Sequence, residues 1–194
     1  MISKEYRSAE VAYKSGRYIE GYAVVFNVLS SDLGGYREII RPSAITQELI
    51  DSSDIIANMN HDNDYMMARL RYGKGNIDLT IDEHGLKFGF DCPETAKGEE
   101  LLQHVKRGEI TQCSFFFGVD LTDLKSAQKW TRAADGTQVR EILKIKALYD
   151  ISCVINPAYE AAECHARDLE HCKKQIRMNK IYEFYSDLLD ELDK

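Results

Sequence analysis

The sequence holds no apolar run near the roughly 18 residues that a membrane-spanning helix needs, so no membrane partner is expected. It has no excess of positive charge either. Thirty-two acidic residues against 25 basic ones give a formal net charge of -7. Phosphate backbones are bound by basic surfaces, so nucleic acid is not expected as the main ligand. The first residues, Met1-Ile2-Ser3-Lys4-Glu5-Tyr6-Arg7, lack an apolar h-region, and no secretory signal is expected from them. Cysteine is scarce and odd in number, five without close paired spacing, which reads as reduced thiols in a cytoplasmic protein. No internal repeat or low-complexity segment stands out.

What is there is ordinary globular material. The chain has 194 residues, 44% hydrophobic and 10% aromatic, enough for one domain with a substantial core. Residues 17–28 are rich in aromatic and β-branched types and read as a strand, with Gly21 marking a bulge or close approach. A short strand over 36–40 leads to Pro42, which suits a first helical turn, and Ala44-Ile45 with Leu49-Ile50 supply an apolar face. Strands are expected over 54–59, 66–72, 76–82 and 86–90, the last two joined by the turn Asp82-Glu83-His84-Gly85. Residues 95–107 form the clearest amphipathic helix, with Leu101, Leu102 and Val105 as its stripe and Gly108 as its stop.

A strand over 110–121 is followed by a polar stretch, 122–134, expected as a long hairpin or loop. Residues 139–147 and 148–155 are nearly continuous β. After Asn156-Pro157 a helix is expected near Tyr159. Mostly antiparallel strands with few crossovers predict a mainly β protein with helices (α+β), its closed or half-closed β-barrel surrounded by helices. The barrel domain is assigned to residues 1–163 and a helical C-terminal appendage to 164–194.

Three stretches carry side chains suited to chemistry. Met59-Asn60-His61-Asp62 brings a histidine to the end of an apolar strand. Thr111-Gln112-Cys113-Ser114-Phe115-Phe116-Phe117 puts Gln112, Ser114 and Phe116 on one strand face and Cys113, Phe115 and Phe117 on the other. Leu148-Tyr149-Asp150-Ile151-Ser152-Cys153-Val154 places an acid among apolar neighbours, where a carboxylate needs a partner. A serine becomes a nucleophile when a histidine takes its proton and a carboxylate fixes the histidine's tautomer.

Each residue also has an ordinary reading. Ser114 would fill a tight spot in a core strand. His61 would be a loop histidine, or a metal ligand with Asp62 and Asp64, although no second histidine stands at ligand spacing. Asp150 would pair with an arginine or a backbone amide. The mirrored pairs Cys164-His165 and His171-Cys172 read as exposed helix residues, with a metal as the alternative.

In order and spacing, these stretches resemble the prohead (capsid maturation) serine proteases of tailed bacteriophages, whose barrel is similar to that of the herpesvirus assembly proteases. The resemblance runs from about Ile19 to Tyr159. It includes Gly21-Tyr-Ala-Val-Val-Phe-Asn27, Glu38-Ile-Ile-Arg-Pro-Ser-Ala44, Asn60-His61-Asp62, Asp82-Glu-His-Gly-Leu86, Gly108-Glu-Ile-Thr-Gln-Cys-Ser-Phe-Phe-Phe117 and Asn156-Pro157-Ala158-Tyr159.

The resemblance implies a serine endopeptidase with Ser114 as nucleophile and His61 as general base. Asp150 matches an acidic position that is usually Glu, and Glu141 is the alternative acid. For the oxyanion, backbone amides with Arg69 or Arg140 come into question. The implied substrates are scaffold and coat proteins, with the chain itself as a further candidate, cut inside the assembling prohead in the host cytoplasm. No cofactor or metal is implied. A homodimer or higher oligomer is expected. The competing expectation is a structural head protein with the same barrel and no activity.

Overall fold

The computed structural model describes residues 2–30 and 32–154, residues 2–15 by backbone alone. All of these belong to the compact unit Met1–Pro157. The tail expected over 164–194, with its Cys/His pairs and its domain boundary, lies outside the described residues.

The chain runs β1 (Ile2–Ser15), β2 (Tyr18–Val25), β3 (Tyr36–Ile40), a 3-10 turn at Pro42–Ala44 and α1 (Gln47–Ser52). It continues through β4 (Asp54–Met59), β5 (Ala68–Arg71), β6 (Lys74–Gly75), β7 (Asp78–Ile81), β8 (Gly85–Asp91) and α2 (Ala96–Lys106). Then follow β9 (Gln112–Asp120), α3 (Leu124–Ala127), β10 (Gln128–Arg132), β11 (Gln138–Ile142) and β12 (Ala147–Val154). The protein is mainly β with short helices, as the patterning predicts. Two ladders are parallel, β12 with β4 and β11 with β3, and the other named pairs are antiparallel.

The predicted closure into a barrel is corrected. Nine strands form one sheet in the order β6-β5-β4-β12-β9-β1-β2-β8-β7, and β10-β11-β3 form a second. Its two edges, β6 and β7, share no ladder. They are nonetheless neighbours in the chain, joined by Asn76 and Ile77 alone. Three Cα steps span at most about 11 Å, so the sheet must roll until its edges nearly meet. The chain then turns a corner from one edge to the other. Strands joined end to end at a corner do not lie side by side, and the final ladder does not form.

Two local expectations also change. The helix predicted from Pro42 divides, because Ile45 returns to extended backbone before Thr46 caps α1 by accepting from the Leu49 amide. The polar stretch 122–134 is ordered as α3 and β10, held by β11 from Gln128↔Ile142 to Arg132↔Gln138. The sequence also gives no warning of β1. This strand inserts between β9 and β2, pairing with β9 from Ile2↔Asp120 to Glu10↔Gln112. Interior position in a ladder overrides the weak β propensity of its charged residues.

Helix α2 follows its sequence signals. The Thr95 hydroxyl accepts from the Gly98 amide at 3.1 Å, Leu101, Leu102 and Val105 are buried, and Gly108 follows the last turn at φ +70°. Arg17 fixes its approach by donating to the carbonyls of Cys92 and Pro93 and to Glu99. The core lies on one face of β4, β12 and β9. Cys113, Phe115 and Phe117 are sealed there with Ile55, Ala57, Ile151 and Cys153, and the Phe115 and Phe117 rings stack at 5.1 Å. The opposite face of the same three strands carries the polar residues.

Candidate active site

Strand β9 lies between β12 and β1, and its register fixes what can meet. Ser114 stands directly across from Ser152, and Phe116 across from Asp150. Directly opposed residues of an antiparallel pair share a face, so Ser114, Phe116, Asp150 and Ser152 are together. On the other side of β12, Asp150 is level with Ile56 and Ser152 with Asn58 of β4.

A bulge makes this arrangement. Leu148 pairs with Phe117, but the next partner, Phe116, meets Asp150, and Tyr149 is the extra residue. Leu148 therefore faces the core with Phe117, while Asp150 is turned to the polar face. Strict alternation would have put Leu148 and Asp150 on the same side. The bulged Tyr149 leans its ring on Phe116 at 5.0 Å.

His61 arrives from the end of β4. Asn60 and His61 both take positive φ, 54° and 57°, and the Asp62 amide donates to the Met59 carbonyl at 3.1 Å. Positive φ at both central residues with an i to i+3 bond is the pattern of a type I′ turn. Left-handed backbone costs a non-glycine residue about 1–2 kcal/mol, and Asn and His bear it better than most. The turn folds His61 back over β12. Its Nδ1 lies 2.8 Å from Asp150 Oδ1, and its backbone amide donates to Ser152 Oγ at 2.7 Å.

An ionised carboxylate only accepts, so this contact puts the imidazole proton on Nδ1 and leaves Nε2 as the basic nitrogen. The His61 side chain is 20% exposed and that of Asp150 only 8%, so the acid is sealed while the imidazole still reaches solvent. Ser114 is 6% exposed and Ser152 is wholly buried. Asn58, also buried on this face, donates from Nδ2 to Asn63 Oδ1 at 3.4 Å, and its own Oδ1 has no hydrogen-bond partner among the described residues.

Other candidates from the sequence are engaged elsewhere. Glu141 sits in the small sheet, where Arg41 donates to it at 2.8–2.9 Å and holds its carboxyl below the ordinary range. Arg69 grips Asp54 with two donors, at 2.6 and 2.7 Å. Arg140 is buried against Glu38 at 3.3 Å and donates to Gln128 at 2.6 Å. Cys113 faces the core, opposite Cys153, and donates to the Tyr22 carbonyl at 3.1 Å. Cys92, Cys113 and Cys153 are buried thiols in no disulfide, and burial pushes Cys153 up and Cys92 to about 11. Thiols so buried stay protonated and unreactive. Among the described residues no group of three His, Cys, Asp or Glu side chains is gathered as a metal site, Asp62 and Asp64 included. Ser152 was not a candidate from the sequence. Its signal was there in the alternation that set it beside Asp150, but a serine in an apolar strand reads as filler.

The fold resembles that of a solved structure, the bacteriophage T4 capsid assembly protease, gp21. The TM-score is 0.52 at 10% identity, covering 80% of this chain and 99% of that one. At that identity the likeness speaks for the fold alone. No curated protein matches the sequence. Residues 3–175 of the 194 match the family described as caudovirus prohead serine protease. With most of its length matched, the chain belongs to the caudovirus prohead serine protease family.

Proposed function

We propose that this chain is an active serine endopeptidase that cleaves scaffold and coat proteins inside the assembling prohead, with Ser114, His61 and Asp150 as its catalytic residues. The observation that carries the reading is the 2.8 Å contact between His61 Nδ1 and Asp150, over the strand face that bears Ser114. It supplies the parts that activate a hydroxyl: one carboxylate, one imidazole whose Nδ1 is turned to that carboxylate so that Nε2 is the basic nitrogen, and one serine on an adjacent strand.

In this mechanism Ser114 Oγ attacks the scissile carbonyl as His61 Nε2 takes its proton. The imidazolium is stabilised by the Asp150 carboxylate, which stays ionised. His61 then gives the proton to the leaving amine, and the acyl-enzyme forms. A water, deprotonated by the same Nε2, attacks the ester and releases the acid product with Ser114 restored. Arg69 and Arg140 hold other partners, so backbone amides are the better source of oxyanion stabilisation.

Co-expression with the cognate coat and scaffold proteins tests the reading. The parent chain is expected to process them, and Ser114→Ala to leave them intact. Processing that persists in Ser114→Ala, or a parent chain that cuts neither protein, overturns the assignment.

A further inference from the structure

We propose that Ser152 is a positioning residue for His61: its buried hydroxyl holds the backbone of the turn that delivers the imidazole to Asp150. The inference rests on the protease reading for its catalytic meaning, but its structural core stands on hydrogen bonds alone.

Three backbone amides of the turn are tied to the strands around it. The Asn60 amide donates to the Cys153 carbonyl at 3.0 Å, and the Asp62 amide to the Met59 carbonyl at 3.1 Å. The third is the shortest, from the His61 amide to Ser152 Oγ at 2.7 Å. The first two fix the residues before and after His61. The Ser152 tie holds the amide of His61 itself, within the residue whose side chain must be aimed. It also holds it at φ +57°, a conformation that glycine normally supplies at this turn position. A histidine retained there needs local compensation, and the hydroxyl supplies it.

The same hydroxyl is fixed in turn. Ser152 is 0% exposed, and its Oγ lies 3.5 Å from the Asn58 carbonyl, to which it donates while accepting from His61. Ser152 stands two residues from Asp150 on one strand face and directly across from Ser114. One strand therefore holds both ends of His61, the backbone through Ser152 and the imidazole through Asp150. That two-point attachment sets where Nε2 stands relative to the neighbouring strand. Loss of one point lets the ring move by an ångström or so, and such misplacement costs on the order of 100-fold in rate.

The test uses the full chain with Ser152→Ala, and Ser152→Cys should the alanine variant fail to fold. A fluorophosphonate probe reads Ser114 activation without a peptide substrate, and the low-field proton resonance of His61 Nδ1 reads its seat on Asp150. In the variant the inactivation rate constant is expected to fall about 10- to 100-fold with the probe's binding constant within about twofold. The Nδ1 resonance is expected to broaden or disappear while thermal unfolding stays cooperative.

A labelling rate within about threefold of the parent, with the Nδ1 resonance intact, overturns the proposal. So does a rate loss with that resonance unchanged, since the hydroxyl would then act by another route. A parent chain that the probe does not label sinks the protease reading alone. The Nδ1 resonance still decides whether Ser152 seats His61.

Discussion

Replacing Asp150 by Asn separates the carboxylate's charge from its shape. The two side chains have nearly equal volume, and Asp150 is 5% exposed, so the variant keeps the packing against Ile56 and Phe116. What changes is the 2.8 Å contact with His61 Nδ1. If the amide oxygen turns to Nδ1, a charge-assisted hydrogen bond worth roughly 1.5–3 kcal/mol becomes a neutral one. If the amide nitrogen turns there, it donates to Nδ1 and drives the imidazole proton onto Nε2, where the base is needed. The larger effect arises when the imidazolium forms, because its counter-charge is gone. Removing the carboxylate charge from such a triad costs about 10⁴ in rate. At 1.36 kcal/mol per decade that is about 5.5 kcal/mol of transition-state stabilisation. Fluorophosphonate labelling of Ser114, followed by intact mass over time, gives the rate. Asp150→Asn is expected to label about 10⁴-fold more slowly, with the melting temperature little changed since a buried charge has been removed. A folded Asp150→Asn that labels within about tenfold of the parent would refute the view that Asp150 orients and balances His61.

Two further outcomes concern stability. Phe115→Ala, which empties a site sealed against Phe117, is expected to cost about 3–5 kcal/mol in denaturant unfolding, and a loss under about 1 kcal/mol would mean the face is not a packed core. Glu141 is held low by the donor Arg41, so its contribution is full above its ordinary value of 4.5 and is lost as pH falls through the lowered one. Arg41→Gln should therefore be less stable than the parent at pH 7, and the gap should narrow as pH falls from 4.5 through the lowered value, as followed by urea midpoints. A gap independent of pH would assign the loss to packing.

The candidate site was legible where local pattern sufficed. Alternation in 111–117 separated Ser114 from its phenylalanines, and the structure keeps that division, with Phe115 and Phe117 sealed and Phe116 half-buried on the other side. The break from apolar Met59 to polar Asn60-His61-Asp62 marked the end of a strand, and β4 ends there. The choice between Asp150 and Glu141 was not legible. Both lie in strands with apolar neighbours, and nothing in the sequence says that Glu141 joins a separate sheet with Arg41 close by.

The sequence by itself determined most of the extended segments, with β1 and β10 as the exceptions, which face of β9 is apolar, and where α2 begins and ends. Those follow from side-chain periodicity and capping, which act within a few residues. Tertiary structure decided the rest. It inserted β1 between β9 and β2, because a ladder partner far along the chain outweighs local propensity. It left the rolled sheet open, because its edges meet at the Asn76-Ile77 corner instead of side by side. It also bulged β12 at Tyr149, turning Asp150 from the core face of Leu148 to the face of Ser114, and tied the His61 turn to Ser152. The meeting of His61 with Asp150, 89 residues apart, depends on that register and that turn, and no local pattern specifies either.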